Sequence, residues 1–125
     1  MTSRFKEIKN KLDEIDALPG KIFVYKNDQY VSGAIRTYGE YCQAEIDVMK
    51  QFINENSLYI DVGVNIGYHS LAIHKATGCK VVGFEPHPIH FAVAAENCKD
   101  LPIQLFNAVL SNRAKIIELT DIDLD

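Results

Sequence analysis

The sequence predicts an α/β domain: a parallel sheet whose strands alternate with helices, preceded by a helix and a β-hairpin. Three observations predict it. Short apolar runs at Leu58–Val62, Lys80–Glu85 and Ile103–Val109 alternate with segments of helical periodicity. A glycine-bearing turn, Asp61-Val62-Gly63-Val64-Asn65-Ile66-Gly67, joins the first run to the helix after it. Gly78, Pro88 and Pro102 fall at the boundaries, where a helix ends, a helix begins and a strand is approached.

Taken in order, residues 4–18 read as a helix, because Phe5, Ile8, Leu12 and Ile15 recur at three- and four-residue steps and Pro19-Gly20 stops the pattern. The apolar stripe is narrow enough to pair with another chain or to pack on its own domain. Lys21–Lys26 and Tyr30–Thr37 are β-rich and flank Asn27-Asp28-Gln29, which predicts a hairpin. A helix follows over about Glu40–Asn54, with Tyr41, Val48, Met49, Phe52 and Ile53 on its apolar face. Leu58–Val62 is a short strand, Ile66–Thr77 a helix, Lys80–Glu85 a buried strand and Pro88–Cys98 a helix. Ile103–Val109 is a third strand and Ala114–Leu119 a fourth. This alternation calls for helices on both faces of a parallel sheet, with right-handed crossovers that bring the strand ends at Asp61 and Glu85 to one edge. Residues 1–39 are expected to form an N-terminal extension and residues 40–125 the α/β domain.

Composition narrows the function. The 125 residues are 47% hydrophobic and 24% charged, ordinary values for a folded domain. Thirteen Lys and Arg stand against 17 Asp and Glu, with no basic run, so a nucleic-acid partner is not expected. No apolar run reaches the ~20 residues of a membrane span. Cys42, Cys79 and Cys98 are odd in number and form no CxxC pair, which reads as reduced thiols in a cytoplasmic protein. His69, His74, His87 and His90 show no ligand spacing, and no metal is expected. His69 and His87 are the candidate general bases.

The chemistry concentrates at the glycine turn. Gly63 and Gly67 let backbone approach a ligand, and Asn65 tolerates conformations that branched residues avoid. Glu85, ending the next strand, has the position of an acid that accepts hydrogen bonds from a ribose diol, which suits a dinucleotide or S-adenosylmethionine. Asp61 separates these two. It would repel a pyrophosphate at the turn but attract the ammonium and sulfonium of S-adenosylmethionine. Three residues lie between Gly63 and Gly67, so GxGxxG is absent as well.

These segments, with Gly39-Glu40, Glu45, Tyr68-His69-Ser70-Leu71, Val82-Gly83-Phe84-Glu85-Pro86-His87-Pro88, Phe91, Asn97 and Asn107-Ala108-Val109-Leu110-Ser111, resemble the FkbM family of S-adenosylmethionine-dependent methyltransferases. The resemblance covers about residues 38–111, and Val64 stands where the family has alanine. It implies the N-terminal half of a Rossmann-like class I methyltransferase fold. It also implies O-methylation of a sugar or natural-product hydroxyl, with a small-molecule or saccharide acceptor. By the same resemblance, Asp61, Gly63, Asn65 and Gly67 would hold the methionine end of the cofactor and Glu85 the ribose. Pro86 and His87 would lie near the adenine, with Asn107 and Ala108 on its other side. The family's fourth strand and Asp-x-Glu-Gly segment are missing, since Asp121 and Asp123 follow the third strand too closely to substitute. The expectation is therefore a truncated cofactor-binding half. The alternatives are a non-catalytic binding or assembly module, self-associating through the N-terminal helix or an open sheet edge, and a nicotinamide-binding Rossmann domain.

Overall fold

The computed structural model describes residues 1–125. Helix α1 (Ser3–Ile8) is capped by the Thr2 hydroxyl, which accepts the Phe5 N–H at 3.2 Å. A single 3-10 turn leads into strand β1 (Leu12–Ala17), which pairs antiparallel with β2 (Gly20–Tyr25). Helices α2 (Val31–Tyr38) and α3 (Gln43–Met49) follow. The parallel sheet comprises β3 (Leu58–Val62), β4 (Lys80–Phe84) and β5 (Ile103–Phe106), linked by α4 (Tyr68–Thr77) and α5 (Pro88–Asn97). Val62 lies opposite Phe84, and Phe84 opposite Phe106, so the three carboxyl ends are level. No helix is long and apolar enough to cross a membrane.

The parallel strands and their helices lie where the apolar runs place them, but four local expectations are corrected. Residues 12–17 are a strand and not part of the first helix, because Ile15 and Ala17 turn inward between the exposed Glu14 and Asp16, and β2 supplies their backbone partners. The hairpin therefore turns at Leu18-Pro19, and Tyr30–Thr37 is helical instead of its second strand. Asp28 nucleates that helix by accepting the N–H groups of Tyr30 (2.9 Å) and Ser32 (2.8 Å), while Ser32 and Ile35, three apart, are buried. Arg36 fastens it to the end of β2 through the Tyr25 carbonyl and to the following loop through that of Asp28. Of the expected apolar face after Glu40, Tyr41, Met49 and Ile53 pack against the core, whereas Val48 and Phe52 face solvent and the fully inward residue of α3 is Ile46. Ala114–Leu119 forms no strand. The Asn107 amide bonds the carbonyls of Glu85 and Pro86 beside the end of β5, and the chain beyond leaves the sheet. It returns to the body from Thr120 onward, where Ile122 and Leu124 pack against the core.

Both crossover helices pack on one face, not on two. The strand order β3-β4-β5 steps in a single direction, and right-handed crossovers that never reverse place every helix on the same side. The opposite face, carrying Leu58, Ile60, Val62, Val82, Phe84 and Phe106, has no helix over it. On the covered side one core runs from Phe5 and Ile8 through Ile22, Val24 and Ile35 to Ile73, Val81 and Val93, so the N-terminal segment and the sheet share it. Asn97 joins them by polar bonds: its amide accepts the Phe23 N–H and donates to the carbonyls of Phe23 and Ile66.

Asp28 gives the first test. Partial burial works against its charge, but the backbone N–H groups of Ser32 and Tyr30, the Ser32 side chain and Arg36 outweigh it and hold the carboxyl below its ordinary 3.8. Asp28→Ala is expected to cost about 1 kcal/mol in urea unfolding at neutral pH. Because the folded value is depressed, the contribution is complete above the unfolded value and disappears as pH falls through the folded one. The gap between wild type and variant should therefore close below the ordinary value of 3.8.

Candidate functional site

Strand β3 ends in Asp61-Val62, and the chain turns at once through three residues of positive φ: Gly63 (85°), Asn65 (55°) and Gly67 (90°). The two glycines serve different ends. A Cβ on Gly67 would lie 3.0 Å from Cys98 Sγ, so this glycine lets the turn press against α5. A Cβ on Gly63 would meet nothing within 4 Å, so that position opens onto free space.

The turn's backbone donors are almost all occupied. Gly63 and Val64 N–H both bond the Phe84 carbonyl, at 2.8 and 3.1 Å, and Gly67 N–H bonds that of Val64 at 3.0 Å. Asn65 N–H goes to Glu85 Oε2 at 2.8 Å. The other Glu85 oxygen accepts the His87 N–H, also at 2.8 Å, and the residue is only 6% exposed. Asp61, 9% exposed, accepts the Ser70 hydroxyl at 2.6 Å through one oxygen and keeps the other.

Asp61, Gly63 and Asn65 line a groove of about 190 Å³ with Val31, Tyr41, Val64, Ile66, Tyr68 and His69, and no Lys or Arg is among them. A second hollow of about 380 Å³ adjoins it across Val31 and Asn65, walled by Tyr25, Tyr30, His90 and the returning Ile122–Leu124. Together they reach the size range of ligand sites. The acidic charge is felt around the groove: burial, followed by Asp61, pushes the Tyr59 phenol and the Cys98 thiol up to about 12. In the adjoining hollow burial pushes the His90 imidazole down, although Glu85 opposes it, and Tyr25 donates or accepts across 2.8 Å to its Nδ1. The Tyr68 hydroxyl, on a residue 2% exposed, has no hydrogen-bond partner.

The remaining expected residues lie at the same sheet edge but outside the groove. Gly67 faces α5. Pro86 and His87 are half-buried after β4. His87 caps α5, with Nδ1 accepting the Ile89 N–H and Nε2 3.2 Å from the Thr120 carbonyl. Asn107 and Ala108 are exposed after β5, and Asn107 ties the two strand ends together. Of the two candidate bases only His69 lines the groove. Val31, Tyr41 and the Tyr25 of the second hollow were not expected. Val31 comes from Tyr30–Thr37, which is helical where a strand is expected, while Tyr25 and Tyr41 lie in segments whose pattern marks packing, and no spacing marks any of the three as groove-lining.

The empty space at Gly63 and the spare Asp61 oxygen fit the cationic amino-acid end of an S-adenosyl ligand. No protein-family model and no curated protein matches the chain. Solved structures do. A protein from Pyrococcus horikoshii described as a transferase matches with a TM-score of 0.61 at 20% identity, over 79% of this chain and 37% of that one. An S-adenosylmethionine-dependent methyltransferase from Agrobacterium tumefaciens matches with a TM-score of 0.56 at 13% identity, over 78% and 32%. The chain thus spans about a third of the length of either. The likeness establishes the fold: a mixed α/β, Rossmann-like domain of the kind such methyltransferases have.

Glu85 is the residue on which this geometry can be tested. Glu85→Gln leaves one acceptor oxygen for two buried N–H groups, so unfolding in urea should show a loss of about 1–3 kcal/mol at unchanged slope. Wild-type stability in the variant would mean that the carboxylate does not hold the turn.

Proposed function

We propose that the chain is the cofactor-binding part of an S-adenosylmethionine-dependent methyltransferase of FkbM type. The proposed acceptor is a hydroxyl oxygen of a sugar or natural product, in a reduced cytoplasmic setting. One observation carries the choice of cofactor. Four N–H groups of the turn are taken by protein acceptors, while an uncompensated carboxylate faces the groove. Such a turn is not an anion cradle, which counts against a nicotinamide dinucleotide, but it suits a cationic amino-acid end.

When bound, S-adenosylmethionine supplies an electrophilic methyl on its sulfonium. The chain's own task is then binding and alignment. Asp61 would hold the ammonium through its spare oxygen, at a position fixed by Ser70. Gly63 would leave room for the methionine backbone. Glu85 uses one lone pair on one oxygen for the turn and one on the other for His87, and would present the remaining ones to the ribose. Pro86, His87, Asn107 and Ala108 would flank the adenine at the ends of β4 and β5. His69, on the groove wall, is the histidine best placed to take a proton from an acceptor hydroxyl.

A second reading, as an assembly module, has one observation in its favour. Leu58, Ile60 and Val62 on the bare sheet face are 57%, 55% and 64% exposed, and β3 is an edge strand. The α1 stripe no longer supports it, since Phe5 and Ile8 are buried in the chain's own core.

Isothermal titration of the full chain with S-adenosylmethionine and S-adenosylhomocysteine tests the main reading. Asp61→Asn keeps an acceptor for Ser70 and removes the charge, so binding of both should weaken at least tenfold, about 1.4 kcal/mol, with the melting temperature little changed. Equal affinity in the variant, or heat from NADH and none from S-adenosylmethionine, would sink it. Light scattering addresses the second reading, for which a stable monomer is the contrary result.

A further inference from the structure

Beside the groove the fold brings together three different metal-ligand chemistries, and His69, once it holds a metal through Nε2, would serve there as a ligand and not as a base. Cys42 immediately precedes α3, Glu45 lies in its first turn, and His69 is the second residue of α4. One ligand atom from each, a thiol sulfur, a carboxylate oxygen and an imidazole nitrogen, lies within 4.8 Å of the other two. We propose that Cys42, Glu45 and His69 bind a zinc-class divalent cation at the wall of the groove.

The distances carry the argument. His69 Nε2 and Glu45 Oε2 are 3.5 Å apart. Nitrogen and oxygen ligands of tetrahedral zinc, at ~2.0–2.2 Å from the ion, stand about 3.4 Å from each other. That pair therefore already spans a tetrahedral edge. The sulfur edge calls for about 3.6 Å. Sulfur lies inside the 4.8 Å cluster, so side-chain rotation suffices to close it. Glu45 is 68% exposed and free to rotate, whereas the His69 side chain is 24% exposed and held edge-on by Tyr41 and Tyr68, with ring centroids 5.8 and 6.2 Å away. The arrangement thus has one fixed imidazole and two adjustable donors. Cys42 itself stands at the boundary of α3 with a left-handed backbone, φ 53°.

The donor set selects the ion. Thiolate with imidazole favours zinc and its borderline neighbours, and calcium or magnesium would seek oxygen alone. Three protein donors leave a fourth tetrahedral position, the arrangement of sites that keep room for water or a ligand. His69 and Tyr41 both line the groove next to Asp61, so an ion held here would put a positive charge on a wall that has no Lys or Arg.

The test uses the full chain, untagged and reduced, with Zn²⁺ measured by competition against a chromophoric chelator. Co²⁺ serves as the spectroscopic probe. One Zn²⁺ per chain at micromolar affinity or tighter is expected, with protons released on binding. Co²⁺ should give a sulfur-to-metal charge-transfer band. Cys42→Ser and His69→Ala should each weaken Zn²⁺ at least tenfold, and Cys42→Ser should abolish the charge-transfer band. Far-ultraviolet circular dichroism verifies that both variants fold, and Glu45→Gln, at an exposed position, is a third variant that should also lower affinity. A wild-type chain that takes up no Zn²⁺, or any of the three variants binding as tightly as wild type, overturns the proposal. Titration with S-adenosylmethionine on metal-free chain reads the cofactor separately, so failure of the zinc site and failure of the cofactor reading are distinguishable.

Discussion

The arrangement depends on one buried carboxylate. Glu85, the residue after β4, is almost out of water, and a charge in that position is tolerated only if its oxygens are hydrogen-bonded. The partners it has are two backbone N–H groups from two different elements, Asn65 in the glycine turn and His87 at the start of α5. Satisfying one charge therefore fixes the turn against the sheet and sets where α5 begins. From α5, Asn97 reaches back to the Ile66 carbonyl and to both backbone groups of Phe23. Strand end, turn, helix and N-terminal hairpin are thereby connected by a continuous path of hydrogen bonds. Such networks stabilise when complete and cost heavily when one member is removed.

The same path determines where a ligand can be accommodated. Level strand ends and a one-directional strand order leave the carboxyl edge of the sheet accessible, and the hairpin and α2 close one side of it with Val31 and Tyr25. The N-terminal segment thus shares the core and also lines both hollows, which links its packing directly to the site.

The parallel sheet was legible because each of its strands is a short apolar run between Gly, Pro or Asn punctuation, and because the glycine turn sits at the only junction where its residues make physical sense. The hairpin was not. Phe5, Ile8, Leu12 and Ile15 keep a helical spacing, yet the segment from Leu12 gains more by pairing with Ile22–Tyr25, a tertiary gain that periodicity cannot register. Tyr30–Thr37 has strand-like composition but is helical because Asp28 supplies the cap and Ser32 and Ile35 share a buried side. Of the nine expected site residues, Asp61, Gly63 and Asn65 line the groove, and Glu85 acts from behind it. That Gly67 faces α5 and that Asn107 ties two strand ends could be learned only from the packed structure. The Cys42–Glu45–His69 cluster was equally hidden. Cys42 and Glu45 are close in sequence, but His69 joins them only through the contact of α3 with α4.

The turn's strain bears on why it exists. Asn65 at φ 55° lies in the left-handed region, which asparagine tolerates but which costs most side-chain-bearing residues about 1 kcal/mol. Stability alone would be served by a less strained connection between β3 and α4, as the ordinary Gly78 exit from α4 illustrates. Here the strain is held in place by Glu85, and its result is a bare Gly63 beside a carboxylate that retains a free oxygen. A device that stabilised only the fold would have covered Gly63 and paired Asp61 with a cation. The turn does neither, and the Tyr68 hydroxyl nearby is left without a partner as well. The open side of Gly63 and the spare Asp61 oxygen both border the groove, which is why the proposed reading rests on this turn and not on the packing of the sheet.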